Sequence, residues 1–363
     1  MVIFFCDRIV IVKIAIVAGG TGGHIYPALT LAEGLKERGH DITFIGSNDR
    51  MEKDVIPQAG FAYIGLDVYT TKGGLGQKAK SLLSICDGYR KSLKLLKGYD
   101  MAIGFGNYIS IPVMLAAVKL QLKTVIHEQN SFVGRANRIL DKKMDLVIGS
   151  YEEDKQQFKN PHTLILGNPQ ISKALDIRKD PEVLREYGLN PEKKTVVIFM
   201  GSLGSATVNE KLMDYFELLD GSYQVLYATG RYNYALVKEK VKETSYLKCY
   251  ERIDGLKAMA NSDLLVSRAG ATTLCEISAI GMPSILIPSP FVPNNHQYYN
   301  GLSLAQRKAA IMIEEKDLNA QLLNDTINEL IHDDEKLKQM GELAKNLANR
   351  NVLNDIIDEV EKL

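Results

Sequence analysis

The sequence has few cysteines, no excess of either charge and no long apolar run, and each shortage closes off a class of protein. Only Cys6, Cys86, Cys249 and Cys275 occur in 363 residues, far apart and without a CxxC pair. That argues against a disulfide framework or a zinc knuckle and fits a reducing compartment. Lys plus Arg number 44 and so do Asp plus Glu, so the chain lacks the bulk positive charge that draws proteins to nucleic acid, and no nucleic-acid partner is expected. Residues 1–12 are apolar, but Asp7 and Arg8 interrupt them and they fall short of the roughly 20 residues that cross a bilayer. With no basic leader and no small-residue cleavage site, they read as an extension rather than a signal peptide. No Asp-x-Asp, the usual means of holding a metal–diphosphate pair, occurs anywhere, and neither a metal nor another cofactor is expected.

What is present is ordinary for a globular protein: 45% hydrophobic and 24% charged residues, over a length of about two and a half typical domains. The balanced charge hides an asymmetry. Residues 1–166 carry 21 basic and 16 acidic side chains, whereas the remainder carries 23 and 28, which suggests two halves with different partners. Short apolar runs at 13–17, 42–45, 63–66, 101–104, 124–127 and 146–148 alternate with helical stretches, and a second series follows at 195–200, 224–228, 247–251, 264–267 and 284–287. Strands alternating with helices predict doubly wound parallel α/β sheets. Residues 167–194, with three prolines and many charges, read as a linker between an N-terminal domain (1–166) and a C-terminal domain (195–345). Two Rossmann-like halves facing across a cleft are expected.

The first strand runs into Ala18-Gly19-Gly20-Thr21-Gly22-Gly23-His24, and helical spacing of Ala28, Leu31, Ala32 and Leu35 follows, with Pro27 placed near the helix start. Such a turn brings backbone close to a ligand and offers the unpaired N–H groups of a helix start to an anion. It departs from the dinucleotide fingerprint: Ile25 stands where the third glycine belongs, and Gly46-Ser47 replaces the acid that should end the second strand. Both departures count against NAD. His24, at a helix N-terminus whose dipole disfavours imidazolium, is a candidate neutral base or a structural histidine.

Two more glycine turns follow strands, Gly104-Phe105-Gly106-Asn107-Tyr108 and Gly201-Ser202-Leu203-Gly204-Ser205. At the ends of parallel strands they point to where open α/β sheets bind ligands, and together they suggest two phosphate-bearing ligands. Ser267-Arg268-Ala269-Gly270-Ala271-Thr272-Thr273-Leu274-Cys275-Glu276 reads as a strand end feeding a helix whose free N–H groups could hold a diphosphate, with Glu276 one turn along to take the hydroxyls of a ribose. The bland alternative is a capped helix with a surface Glu. His127-Glu128-Gln129-Asn130, at another strand end, is either functional or a loop-holding cluster.

Between 72 and 97, seven basic residues face a lone Asp87, while Leu75, Ala79, Leu82, Cys86, Tyr89, Leu93 and Leu96 recur at helical spacing. A helix apolar on one side and basic on the other suits an anionic membrane surface, part of it also packing on the core.

Taken in order, these motifs resemble the MurG family of peptidoglycan N-acetylglucosaminyltransferases in glycosyltransferase family 28. The resemblance opens with KIAIVAGGTGGHIYPALTLAEGL (13–35), includes HEQN (127–130), GNP (167–169), SRAGATTLCE (267–276) and Pro288 through Gln297-Tyr298-Tyr299-Asn300, and runs almost to the end of the chain. It implies a GT-B fold, with UDP-N-acetylglucosamine in the C-terminal domain and undecaprenyl-diphospho-N-acetylmuramoyl-pentapeptide (lipid I) on the N-terminal one. Sugar would pass with inversion to the muramoyl 4-hydroxyl, giving lipid II, at the cytoplasmic face of the cell membrane by a peripheral protein, without an obligatory metal. Carried over residue by residue, donor contacts fall on Thr21, Gly22, Gly23, Asn130, Ser202, Ile253, Ala271, Thr272, Thr273, Leu274, Cys275, Glu276 and Gln297, and acceptor contacts on Gly106, Asn107 and Tyr108. His24 is the preferred base and Glu128 its rival. A C-terminal helix at 346–363 is expected to pack back on the N-terminal domain.

Some positions depart from the family pattern. Gln170 and Ile171 follow GNP where an Arg is frequent, Met200, Leu203 and Ser205 alter the third glycine turn, and Asn107 stands where glycine is common. The readings left beside the resemblance are a GT-B transferase acting on a membrane lipid such as diacylglycerol, an NAD-dependent oxidoreductase, and a non-catalytic membrane scaffold.

Overall fold

Parallel strands buried on both faces need continuous apolar runs, and the runs in this sequence become such strands. The computed structural model describes residues 11–69, 75–201 and 204–363; most of the N-terminal extension (residues 1–10), Lys72 and Ser202 lie outside the described residues. The chain divides into two units, one of residues up to 170 together with 351–363, the other of residues 171–350.

In the first unit, strands β1 (Lys13–Val17), β2 (Asp41–Ser47), β3 (Ala62–Leu66), β4 (Met101–Gly104), β5 (Lys123–His127), β6 (Leu146–Gly149) and β7 (Thr163–Ile165) alternate with helices α1 (Gly22–Glu37), α2 (Glu52–Gln58), α3 (Leu75–Leu95), α4 (Asn107–Lys119), α5 (Arg135–Leu140) and α6 (Glu152–Lys155). Among the described residues these strands form one parallel sheet in the order β3-β2-β1-β4-β5-β6-β7. Its order reverses between β1 and β4, so the first and second glycine turns, which follow those two strands, flank the switch point where such sheets take ligands.

The second unit repeats the plan. Its strands are β8 (Thr195–Phe199), β9 (Gln224–Ala228), β10 (Leu247–Tyr250), β11 (Leu264–Ser267), β12 (Ser284–Leu286) and β13 (Ile311–Met312). Its helices are α7 (Ile171–Leu175), α8 (Glu182–Glu186), α9 (Ala206–Phe216), α10 (Tyr234–Lys240), α11 (Gly255–Ala260), α12 (Ala271–Ile280), α13 (His296–Gln306), α14 (Ala320–Ile331) and α15 (Asp334–Lys345). The sheet order is β10-β9-β8-β11-β12-β13, all parallel, with its reversal between β8 and β11. The third glycine turn and the 268–270 loop flank that second switch point.

The chain returns to the first unit through α16 (Val352–Glu361), whose buried Val352, Ile356, Ile357 and Val360 pack on α1. Each such burial is worth roughly 1.5–3 kcal/mol. Arg38 adds ion pairs to Asp358 (3.2 Å) and Glu361 (3.1 Å), and buried His40 meets Glu361 at 3.1 Å.

Several expectations change in detail. The stretch expected to link the domains, 167–194, is folded into the second unit from Ile171 onward, because Ile171, Ala174, Val183, Leu184 and Leu189 bury there. α1 begins at Gly22, so Pro27 lies within it and leaves the Gly23 carbonyl without its helical N–H donor. On α3 the small residues Ser84, Gly88 and Ser92 are buried, with Gly88 against Val68 and Pro112, and Ile85, Tyr89, Leu93 and Leu95 pack on the core beside them. Of the expected apolar stripe, Tyr89 and Leu93 are half-buried and Leu96 is buried, whereas Ala79, Leu82 and Cys86 are exposed.

Candidate active site

At the end of β1 the backbone turns through Gly20, whose φ of +91° and closeness to Asn107 exclude a side chain: a Cβ there would lie 1.9 Å from Asn107 Nδ2. Thr21 caps α1 in extended conformation, its carbonyl accepting from the His24 N–H at 3.0 Å, and its hydroxyl meets His24 Nδ1 at 3.0 Å. When Nδ1–H donates to that hydroxyl, Nε2 carries the lone pair, the tautomer a general base needs. The second glycine turn closes on the same place. Gly106 has φ +80°, and a Cβ there would touch His24 Cδ2 at 3.5 Å and Asn137 Nδ2 at 3.4 Å. Asn107 donates from Nδ2 to the Gly19 carbonyl (2.7 Å) and sits at φ +67°, a left-handed conformation asparagine tolerates, which accounts for its standing where glycine is common. Tyr108 is half-buried against the first unit's core.

Glu128, at the end of β5, is 3% exposed. Its Oε1 accepts from the N–H groups of Gln129 (3.1 Å) and Asn130 (3.2 Å) and from Asn130 Nδ2 (3.1 Å), and its Oε2 from the Gly134 N–H (2.9 Å) and Asn137 Nδ2 (2.9 Å). Both oxygens hold the 128–137 loop in shape. Neighbouring His127 stacks on Phe105 and donates from Nε2 to the Gly167 carbonyl (2.9 Å) while Nδ1 accepts from Gln129 (3.1 Å). Burial lowers its pKa to about 4 against that Gly167 bond, so it is neutral and structural. Gln170 accepts from the Thr30 hydroxyl (2.9 Å) and Ile171 is buried, so neither supplies a charge in place of the frequent arginine.

In the second unit, α12 is capped by Gly270, and its first helical bond runs from the Leu274 N–H to the Gly270 carbonyl at 3.0 Å. The N–H groups of Ala271, Thr272 and Thr273 precede that bond and have no acceptor within the helix, and the buried Thr272 hydroxyl has no hydrogen-bond partner among the described residues. Leu274 and Cys275 turn into the core, so only their backbone could serve a ligand. Glu276 is half-buried, and desolvation, with the Asp254 charge as a lesser cause, raises its pKa to about 7. Ile253 packs beside the core that holds Ala269 and Leu274, and Gln297 Oε1 accepts from the Ser289 N–H at 2.8 Å.

Sequence reasoning missed the residue that ties these pieces together. Arg268 is 7% exposed; its Nη1 donates to the Ile287 (3.0 Å) and Pro288 (3.2 Å) carbonyls, its Nη2 donates to Ser205 Oγ (2.7 Å), and its guanidinium forms an ion pair with Glu315 (Nη2 to Oε2, 2.5 Å). It thereby fixes the third glycine turn against the end of β12, beside a depression of about 540 Å³ lined by Gly201, Gly204, Ser205, Ser289 and Gln297. In the first unit Asn137 was missed likewise. Only the position of Arg268, inside the motif, was a signal.

Comparison with known proteins extends the picture. The N-terminal domain model of glycosyltransferase family 28 matches residues 14–148 and its C-terminal domain model residues 195–359. The UDP-N-acetylglucosamine--N-acetylmuramyl-(pentapeptide) pyrophosphoryl-undecaprenol N-acetylglucosamine transferase of Finegoldia magna is 36% identical over 97% of this chain and 98% of its own. That of Bacillus subtilis is 36% identical over 96% of this chain and 100% of its own. The crystal structure of Acinetobacter baumannii MurG superposes with a TM-score of 0.80 at 23% identity, covering 97% of this chain and 99% of that one, which gives the fold as GT-B. Two units wound alike, each with its glycine turns at the sheet reversal and each matched by its own domain model, place this chain in glycosyltransferase family 28, within the MurG family.

Proposed function

We propose that this enzyme moves N-acetylglucosamine from UDP-N-acetylglucosamine to the muramoyl 4-hydroxyl of the pyrophosphoryl-undecaprenol-linked N-acetylmuramyl-pentapeptide, with inversion. The carrying observation is the start of α12: three backbone N–H groups without helical acceptors, an unpartnered threonine hydroxyl among them, and a carboxyl group one turn further along. That set suits a diphosphate followed by a ribose without a bridging metal.

In this reading the N–H groups of Ala271, Thr272 and Thr273 take the charge that develops on UDP as it leaves, and Glu276 accepts from the ribose hydroxyls. His24 Nε2 removes the proton of the acceptor hydroxyl while its oxygen bonds to the anomeric carbon and the bond from that carbon to the UDP oxygen breaks. Base assistance of this kind is typically worth ~10²–10⁴-fold. Glu128, whose two oxygens accept five hydrogen bonds from its own loop, shapes the site rather than acting as base. Gly106, Asn107 and Tyr108 line the acceptor side.

The acceptor is membrane-borne, and no helix among the described residues is long and apolar enough to cross a membrane. We assign the contact with the anionic cytoplasmic surface to residues 72–97, and within them to the first half of α3. There Leu82 (62% exposed) and Leu83 (68%) stand out of the packed surface beside exposed Lys78 and Lys80. Lys91 is held by Asp87 (2.9 Å) and Asp67 (3.7 Å) and contributes less.

The test is transfer itself. Purified enzyme given labelled UDP-N-acetylglucosamine and the lipid acceptor should form one equivalent of disaccharide lipid per UDP released, with UDP-glucose and UDP-galactose poor donors. Transfer to diacylglycerol in place of the muramoyl lipid, or no transfer, would defeat the reading.

A further inference from the structure

Glu52, the first residue of α2, has no accessible surface, and among the described residues no Lys, Arg or His pairs with it. Its charge is met by hydrogen-bond donors alone. Oε2 accepts from the Gly20 N–H at 3.1 Å, and Oε1 accepts from the Ser47 N–H at 3.2 Å and from the Ser47 hydroxyl. A buried carboxylate without a counter-ion is costly, and this one persists on donors that include an amide of the first glycine turn. It stands where a dinucleotide-binding turn would present that amide to a ligand, and it comes not from the end of β2 but from five residues beyond Ser47, turned inward.

The bond has a direct route to the chemistry. Asn107 grips the carbonyl and Glu52 the N–H of the one Gly19–Gly20 peptide, so that peptide plane is held from both edges. Thr21 follows at once; its carbonyl starts α1 and its hydroxyl meets His24 Nδ1. We propose that Glu52 is a positioning residue for the transfer: its buried carboxylate stands in for an anion inside the first glycine turn and holds Thr21 and His24 in working geometry before substrate arrives. This rests on the transfer reading above, in which His24 is the base and UDP is held by the second unit.

Glu52→Gln keeps the shape and burial but has one acceptor oxygen. In one amide orientation its NH₂ faces the Gly20 N–H, in the other the Ser47 N–H, so one donor always meets a donor. E52Q should lower kcat about 10–100-fold and speed hydrogen exchange of the backbone amides at 19–25, while UDP affinity measured by calorimetry stays within twofold. Tyr63→Phe, which removes a bond to the Ser47 carbonyl (2.6 Å) but leaves all three Glu52 donors, should keep kcat within twofold and exchange unchanged. The proposal is overturned if E52Q turns over within threefold of wild type, if its exchange at 19–25 is unaltered, if UDP affinity falls in step with kcat, or if Y63F matches its loss. Should E52Q fail to fold, Ser47→Ala, which frees one carboxylate oxygen of a donor, should show the same faster exchange; unchanged exchange there overturns the proposal. A wild-type enzyme without transferase activity would instead sink the transfer reading, and the exchange arm would still decide whether Glu52 holds the turn.

Discussion

Arg268 and Glu315 form a 2.5 Å ion pair with each side chain only 9% exposed, and their other contacts reach Ser205, the first half of α9 and the end of β12. Thr207 donates to Glu315 Oε1 (2.5 Å), Lys211 to the Glu315 carbonyl (2.6 Å), and Arg268 to Ser205 and the end of β12. Breaking a buried pair from one side strands a charge, at a cost of about 3–5 kcal/mol, whereas replacing both partners is close to neutral. Arg268→Met or Glu315→Leu alone should therefore lower the urea midpoint of the second unit markedly. The double variant should recover most of that stability yet bind UDP more weakly, because Ser205 and the third glycine turn lose their anchor. A double variant that loses the sum of the two single losses would show that the pair is not coupled.

His24 bonds to Thr21 and lies against Gly106 in the first unit, whereas the UDP contacts proposed above belong to the second. His24→Ala should lower kcat by ~10²–10⁴-fold and leave UDP affinity unchanged. Thr21→Val, which removes one hydrogen bond to Nδ1, should cost about fivefold. Steady-state kinetics with both substrates varied distinguish these results from a loss of binding.

Glu276 gives a pH signature. Burial, and secondarily Asp254, raises its pKa to about 7, above the ordinary 4.5. The folded protein holds this proton more tightly than the unfolded chain, so the stability it contributes is full below pH 4.5 and is lost as the pH rises through about 7. If Glu276 accepts from the ribose hydroxyls as proposed, UDP affinity should run the other way, rising as the pH passes through about 7 with release of a proton. Calorimetric titrations across that range should show the rise in the wild type and a flat profile in Glu276→Gln.

The exposed start of α3 should govern attachment. Replacing Lys78 and Lys80 by Glu, or Leu82 and Leu83 by Ser, should release the protein from anionic vesicles in a sedimentation assay, since each basic residue near such a surface is worth about 1 kcal/mol. Lys91→Glu, where the lysine is already paired with Asp87, should have a smaller effect.

How much of this was legible depended on whether a feature was local. β1, β4 and β11 were visible because a strand buried on both faces is an apolar run in its own right. β7 and β13 were not: they are edge strands of three and two half-buried residues, too short for any periodicity. The glycine turns and the start of α12 were readable from spacing, since a backbone that must bend between a strand and a helix needs glycine there. On α3 the Tyr89 and Leu93 part of the apolar stripe, with Leu96 just past the helix, packs on the core, while the buried Ser84, Gly88 and Ser92 carry little hydrophobic signal and could not be read from the sequence. Glu52, Asn137 and Arg268 were hidden for another reason. Their partners are backbone groups and side chains on other elements, which no hydrophobic period marks, and a carboxylate buried on amide donors looks, in the sequence, like any surface acid.

The central claim is that amides at the start of α12 hold the nucleotide's two phosphates, with Glu276 on its ribose. A crystal structure with UDP-N-acetylglucosamine tests it most directly. The account predicts phosphate oxygens within hydrogen-bond reach of the Ala271, Thr272 and Thr273 N–H groups and both ribose hydroxyls on Glu276. Nucleotide bound instead at the first glycine turn, with residues 271–276 free of ligand, would contradict it.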